Sequence, residues 1–276
     1  MNNLFDQVSF NCSKDLSKTY RTDFTMVINT LSHHLRDKIY SIYAFAALAE
    51  EIVTSLENRD KKELISEYIN ETYKAIERRF SLNPILNSFQ IVINEFQIDT
   101  ALIRIFLEGI KLKIYQIPGN SEQIELYETS AAEALGLMIL KALCDGNHQL
   151  YETLETSAKK FSSTILMINK LTNSSKLYHN TETAIAIQLE WLSKEMKIAM
   201  EISIEDNLKK VKENIDRAPQ SSKRALYIAY AYYSTLFKKI KKLSSEKIIT
   251  NKIGISYNRK IILALNSVIK QKLNLL

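Results

Sequence analysis

Ile39-Tyr-Ser-Ile-Tyr-Ala-Phe-Ala-Ala-Leu-Ala-Glu-Glu-Ile-Val-Thr54 is a helix by its spacing: Ile39, Ile42, Tyr43, Ala46, Ala49 and Val53, continued by Leu56, recur at three and four residues. From Leu35 to Leu56 the pattern is apolar around much of its circumference, which predicts a central helix covered by neighbours. Its polar exception is the end, where Glu50 and Thr54, four residues apart, share a face beside Glu51. A second stretch, Phe161-Ser-Ser-Thr-Ile-Leu-Met-Ile-Asn-Lys-Leu-Thr-Asn-Ser-Ser-Lys-Leu177, places Asn169, Asn173 and Leu177 on one face in the same way. Two such faces opposed across a bundle form a polar mouth above an apolar cavity. Were every one of these positions Asp, the mouth could hold several Mg²⁺ ions, which prefer hard oxygen ligands and bridge carboxylates to phosphates.

Outward from these two stretches the same periodicity predicts about ten helices, near 9–31, 36–57, 60–80, 84–96, 99–116, 121–144, 148–177, 183–217, 219–243 and 258–273. Breaker chemistry separates them at Asn83-Pro84, Ile117 to Asn120, Cys144 to Asn147, Ala218-Pro219 and Asn251 to Asn258. Only 5 Gly and 3 Pro occur in 276 residues, too few for a strand-rich fold or a glycine-rich phosphate loop. With 46% apolar residues, no fixed repeat and no low-complexity linker, the expectation is an all-α fold forming one domain over 1–276.

Met1 to Phe10 includes Asp6 and lacks a basic region followed by an apolar run, and no stretch reaches the length of a spanning helix. The expected location is the cytoplasm, extending to the inner membrane surface as a peripheral protein. Cys12 and Cys144 lie far apart without metal-ligand spacing and read as reduced thiols. The net charge of +6 is uneven: residues 209–260 carry 14 Lys and Arg against three acids, a local +11 that leaves −5 for the rest. Such asymmetry suits an anionic membrane surface or a diphosphate, or is a solvated helix face. No aromatic RNA-binding motif or zinc knuckle accompanies the lysines, which argues against nucleic acid.

Motifs in one order along nearly the whole chain carry a family resemblance. Tyr20-Arg-Thr-Asp-Phe24 precedes Tyr40-Ser-Ile-Tyr-Ala-Phe45; then come Tyr127 with Ala132-Glu-Ala-Leu-Gly-Leu-Met138, Asn169-Lys-Leu-Thr-Asn173, and Pro219-Gln-Ser-Ser-Lys-Arg-Ala-Leu-Tyr-Ile-Ala-Tyr-Ala-Tyr-Tyr233. In this the chain resembles the phytoene/squalene synthases, head-to-head prenyl transferases, and most of all the short bacterial phytoene synthases. The resemblance implies an isoprenoid-synthase-type helical bundle around a central cavity. It also implies Mg²⁺-dependent condensation of two prenyl diphosphates and a place in carotenoid or squalene-type synthesis. Phe24, Tyr43, Ala47, Tyr127, Gly136 and Leu166 fall at its cavity-lining positions, and Arg21 and Arg259 at candidate diphosphate contacts.

Against that pattern the ionic residues are depleted. The leading Asp of the first acidic motif is Glu50, its trailing Asp is Thr54, and the Arg three residues before Glu50 is Ala47. In the second motif the Arg is Thr172, the first Asp is Asn173 and the second is Leu177, while the polar residue three before Asn169 is Leu166. Glu108-Gly-Ile-Lys111-Leu-Lys-Ile114 stands where the family usually has acids; Lys111 and Lys113 read either as new phosphate contacts or as a solvated face. Losing metal ligands and phosphate-pairing arginines together removes both means of stabilising a diphosphate leaving group. The leading expectation is a catalytically degenerate paralogue that keeps the fold and binds a prenyl chain or an active homologue, with no cofactor. The alternatives are an active Mg²⁺-dependent transferase making phytoene or a squalene-type product, and a basic membrane-surface assembly factor on the same fold. His33-His34 lacks a metal-site partner pattern, and Trp191 with Tyr227, Tyr230, Tyr232 and Tyr233 reads as core aromatic.

Overall fold

The computed structural model describes residues 3–20, 22–56, 59–115, 121–173, 190, 192–256, 259 and 262. Among them the chain is all helix, with no strand: α1 (Leu4–Tyr20), α2 (Thr22–Ile28), α3 (His33–Thr54), α4 (Lys61–Arg78), α5 (Pro84–Glu95), α6 (Thr100–Leu112), a 3-10 turn (Lys113–Tyr115), α7 (Ser121–Leu143), α8 (His148–Asn173), α9 (Lys194–Ile215), α10 (Gln220–Ile240) and α11 (Ser245–Thr250).

The starts are set by side-chain caps that satisfy free backbone N–H groups. Asp60 accepts from the N–H groups of Lys62 and Glu63 at α4, and Asn83 accepts from Ile85 and Leu86 at α5, with Pro84 at the first turn. Asp99 caps α6, Ser193 caps α9 and Ser244 caps α11. Several ends turn through the left-handed region without glycine, at Arg79 (φ 55°), Gln97 (φ 49°) and Asp145 (φ 50°), the last followed by Gly146 (φ 81°). The Ile98 N–H donates to the Ile93 carbonyl across Gln97, closing the end of α5.

α3 lies at the centre of the first core. Phe45 stacks on Phe89 of α5 with centroids 3.7 Å apart and meets Tyr68 of α4 at 5.7 Å and Phe106 of α6 at 5.5 Å. The Tyr68 hydroxyl donates to the Phe45 carbonyl, so this buried phenol has a partner, and burial holds its pKa well above the usual tyrosine value. α7 packs against α3, α6 and α8, and a second core beyond it joins Ile168 and Leu171 of α8 to Ile204 and Leu208 of α9, Leu236 and Ile240 of α10, and Ile248 and Ile249 of α11.

Several boundaries differ from the sequence expectation. The helix expected over 9–31 is two, α1 and α2, and α1 begins five residues earlier; its buried face combines Phe10 with Ser9, Ser13 and Ser17, which weakens the apolar signal. Their hydroxyls are satisfied internally, Ser9 by the Phe5 carbonyl, Ser17 by the Ser13 carbonyl and Ser13 with Ser88 of α5 at 2.6 Å. The helix expected over 183–217 is interrupted at Leu192–Ser193, where Ser193 caps a fresh helix; residues 183–189 and Trp191 lie outside the described residues. α11 was not expected at all. Of the helix expected over 258–273 the described residues are Arg259 and Ile262, both helical. Among the described residues no helix is long and apolar enough to cross a membrane.

Candidate functional site

The last turn of α3 brings Glu50, Glu51 and Thr54 to one end of the central helix, and each is engaged by a group from its surroundings. The Lys113 ammonium lies 2.6 Å from Glu50 Oε1, delivered by the 3-10 turn that follows α6. Lys113 is the more enclosed partner, its side chain 17% exposed against 46% for Glu50. The Tyr20 hydroxyl, at the end of α1, hydrogen-bonds Glu51; burial first, and then that bond and the carboxylate charge, raise its pKa well above the usual phenol value. The Thr54 hydroxyl donates to the Glu50 carbonyl of its own helix at 2.8 Å, and the Thr54 carbonyl accepts from Lys61 Nζ at 3.1 Å.

On α8 the corresponding face is neutral. The Asn169 carbonyl accepts from the Thr172 hydroxyl at 3.2 Å, Leu166 is half-buried, and Asn173 is the last residue of the helix. Leu177 and Arg21 lie outside the described residues; Arg259 is exposed. Between them Lys170 reaches across to α7, 2.6 Å from Glu128. Among the described residues no hydrogen bond or ion pair joins Glu50, Glu51 or Thr54 to α8.

The expected cavity-lining residues occupy several elements. Phe24 of α2 packs on Tyr43 of α3 with ring centroids 4.4 Å apart, and Ala47 is buried one turn further on. Tyr127 sits near the start of α7, half-exposed, its carbonyl over Gly109 of α6; a Cβ at Gly109 would lie 2.8 Å from that oxygen and 2.6 Å from Ala131 Cβ. At the α7–α8 crossing a Cβ on Gly136 would lie 1.8 Å from Ser162 Oγ. Two surface grooves, of about 560 Å³ beside Cys12 and Pro84 and about 530 Å³ beside Leu102 and Tyr151, include none of these residues.

The donors here do not suit a magnesium ion. Mg²⁺ dehydrates reluctantly and is held by carboxylates together with phosphate oxygens. Glu50 and Glu51 are the charged oxygens of the two faces, the first already paired with an ammonium and the second meeting a neutral phenol, and the remaining positions supply at most neutral amide or hydroxyl oxygen. Among the described residues no group of three or more His, Cys, Asp or Glu is gathered to hold a metal. Lys113, which sequence alone leaves between two readings, is the residue that meets Glu50 at this end of α3; Tyr20 stands in the sequence only as the first residue of a family motif and Lys61 carries no signal, because nothing in their spacing links them to Glu51 or Thr54.

A helical bundle with its two polar faces on central helices is the architecture of an isoprenoid synthase. The sequence model of the squalene/phytoene synthase family matches residues 17–189, more than half of the chain, and the chain belongs to that family. No curated protein matches the sequence. Among solved structures it is similar to a dehydrosqualene synthase in complex with ligand, at 18% identity and a TM-score of 0.76 over 97% of this chain and 98% of that one. It is also similar to YisP from Bacillus subtilis subsp. subtilis strain 168, at 12% identity and 0.67 over 95% and 96%. The squalene synthase HpnC from Alicyclobacillus acidocaldarius matches at 12% identity and 0.70 over 87% and 96%. At such identities the likeness speaks for the fold.

Proposed function

We propose that this chain is a catalytically degenerate member of the squalene/phytoene synthase family, retained in isoprenoid or carotenoid metabolism as a single 1–276 domain that binds a prenyl chain or an active homologue. The observation that carries the reading is the donor set. Thr54, Asn169 and Asn173 are neutral, Leu177 has no donor, and the Thr54 hydroxyl turns back onto its own helix. Ionising an allylic diphosphate in an enclosed site needs several positive centres around the leaving group, and these residues cannot gather them as metal ions. With Ala47 and Thr172 in place of arginines, guanidinium compensation is missing from the same two motifs. Enzymes of this kind owe at least about a 10⁶-fold acceleration to such stabilisation, so its loss leaves negligible turnover.

Purified protein incubated with Mg²⁺ and geranylgeranyl or farnesyl diphosphate, followed by extraction and analysis of hydrocarbon, tests the reading. No product above the protein-free control is expected. Phytoene or a squalene-type product at an ordinary rate would establish the active alternative instead. Calorimetric titration with a non-hydrolysable prenyl diphosphate analogue adds a second readout: binding, where present, should be the same with and without Mg²⁺.

A second reading, contact with an anionic membrane surface, is favoured by the end of the molecule formed by α10 and α11. Lys238, Lys239, Lys242, Lys247 and Lys252 are exposed there, with Lys239 Nζ fixed on the Gly254 carbonyl and Lys241 paired to Glu205 at 2.8 Å. Near an anionic surface each such charge contributes about 1 kcal/mol, falling away within a Debye length.

A further inference from the structure

We infer that the Lys113 ammonium is an intramolecular replacement for a divalent cation at the end of α3, keeping that end closed to magnesium. The inference rests on the degenerate reading of the site and adds the device that maintains it.

The end of α3 attracts cations for two independent reasons. Its last carbonyls carry the negative end of the helix dipole, and Glu50 and Glu51 add two carboxylates in the final turn. Left uncompensated, these groups would draw in whatever cation is at hand. The chain supplies its own. Lys113 sits on the Glu50 carboxylate, Lys61 on the Thr54 carbonyl and the Tyr20 hydroxyl on Glu51, so a different element outside α3 covers each acceptor.

Lys113 is the decisive member because its place is fixed by the backbone. It opens the 3-10 turn directly after α6, its N–H reaching back to the carbonyls of Ile110 and Lys111, and this tight turn packs against α3. Most of its side chain is removed from water, which is unfavourable for an ammonium unless an anion meets it, and Glu50 does so at 2.6 Å. A divalent ion approaching Glu50 would have to displace a charge already in contact or sit beside it against repulsion. Either way, the free energy that would hold Mg²⁺ is spent on Lys113. The stretch Glu108 to Ile114 thereby acquires a role: a lysine, rather than an acid, completes the site.

Thermal unfolding at matched ionic strength tests this with a readout independent of turnover. The wild-type midpoint should not move as Mg²⁺ replaces an equivalent of monovalent salt. Lys113→Met, which leaves Glu50 uncompensated, should unfold at lower temperature and recover as Mg²⁺ is added, with an apparent affinity at least about tenfold above that of the wild type. In Lys113→Met/Glu50→Gln the response should disappear, and Lys113→Arg should behave as the wild type. Should Lys113→Met fail to fold, Lys113→Gln, which keeps a donor toward Glu50, serves for the same comparison. A wild type stabilised by Mg²⁺, or single and double variants responding alike, would overturn the inference. Product in the separate turnover assay would overturn the degenerate reading and this inference with it, whereas a wild type that forms no product yet is stabilised by Mg²⁺ would overturn the inference alone.

Discussion

Gly109 and Gly136 mark where this bundle tolerates no side chain. At Gly109 the obstacles are a Cβ on α7 and the Tyr127 carbonyl, neither of which can rotate away, so Gly109→Ala should separate α6 from α7 at a cost of about 1–3 kcal/mol in chemical denaturation. At Gly136 the nearest atom is a hydroxyl, so Gly136→Ala should lose less, and Gly136→Ala/Ser162→Ala should recover part of the loss. Glu133, on the same helix, is held above the ordinary carboxylate pKa by desolvation, with Lys159 opposing. A raised folded-state pKa means that its contribution to stability is fully present below the unfolded value and is lost as pH rises through the folded one. Glu133→Gln should therefore raise the unfolding midpoint at neutral pH, and the gain should vanish on acidification below both values. Sequence reading reached Gly136 and Glu50 by motif position, but the crossing that demands the one and the lysine that holds the other are tertiary facts. Lys113 lies 63 residues from Glu50, and no periodicity connects them.

α3 and α5 were legible in the sequence because their faces are apolar at helical spacing and Asn83-Pro84 announces a start; the structure places α5 at Pro84–Glu95. Removing that cap with Asn83→Ala should cost about 1 kcal/mol, and Asn83→Ser should retain most of the stability, by equilibrium unfolding. α1 was legible only in part. A helix that buries Ser9, Ser13 and Ser17 with Phe10 as its one buried apolar side chain shows little apolar stripe, and the burial makes sense once Ser88 and Asn87 of α5 are seen opposite, bonded to its hydroxyls. α11 is hidden for another reason: it is six residues long, too short for a periodic signal, although the N-cap Ser244 with Glu246 in the first turn and the apolar pair Ile248-Ile249 carries a local start signature.

The charge of the molecule is as uneven as its chemistry. The end carrying α10 and α11 gathers exposed lysines, whereas near the α3 acids Lys113 is matched to Glu50 and Lys61 to the Thr54 carbonyl. If this end meets an anionic bilayer, the protein should sediment with vesicles rich in anionic lipid at low salt and be released as salt rises; Lys238→Glu/Lys242→Glu should abolish the effect without shifting the unfolding midpoint. Co-sedimentation that is indifferent to both salt and lipid charge would remove the membrane reading. The fold class followed from scarce glycine and pervasive helical spacing, but the meeting of the 3-10 turn with the end of α3 required the assembled bundle.

The Glu50–Lys113 contact also bears on descent. On the degenerate reading proposed above, acids restored singly would not rebuild a metal site: Thr54→Asp in the present protein would add one negative charge beside a pair already balanced, and should gain no measurable hold on magnesium. The lysine must leave first, and its departure strips Glu50 of its only close counter-charge among the described residues. Under that reading stability would be lost before ligands could be regained, so the contact would act as a ratchet.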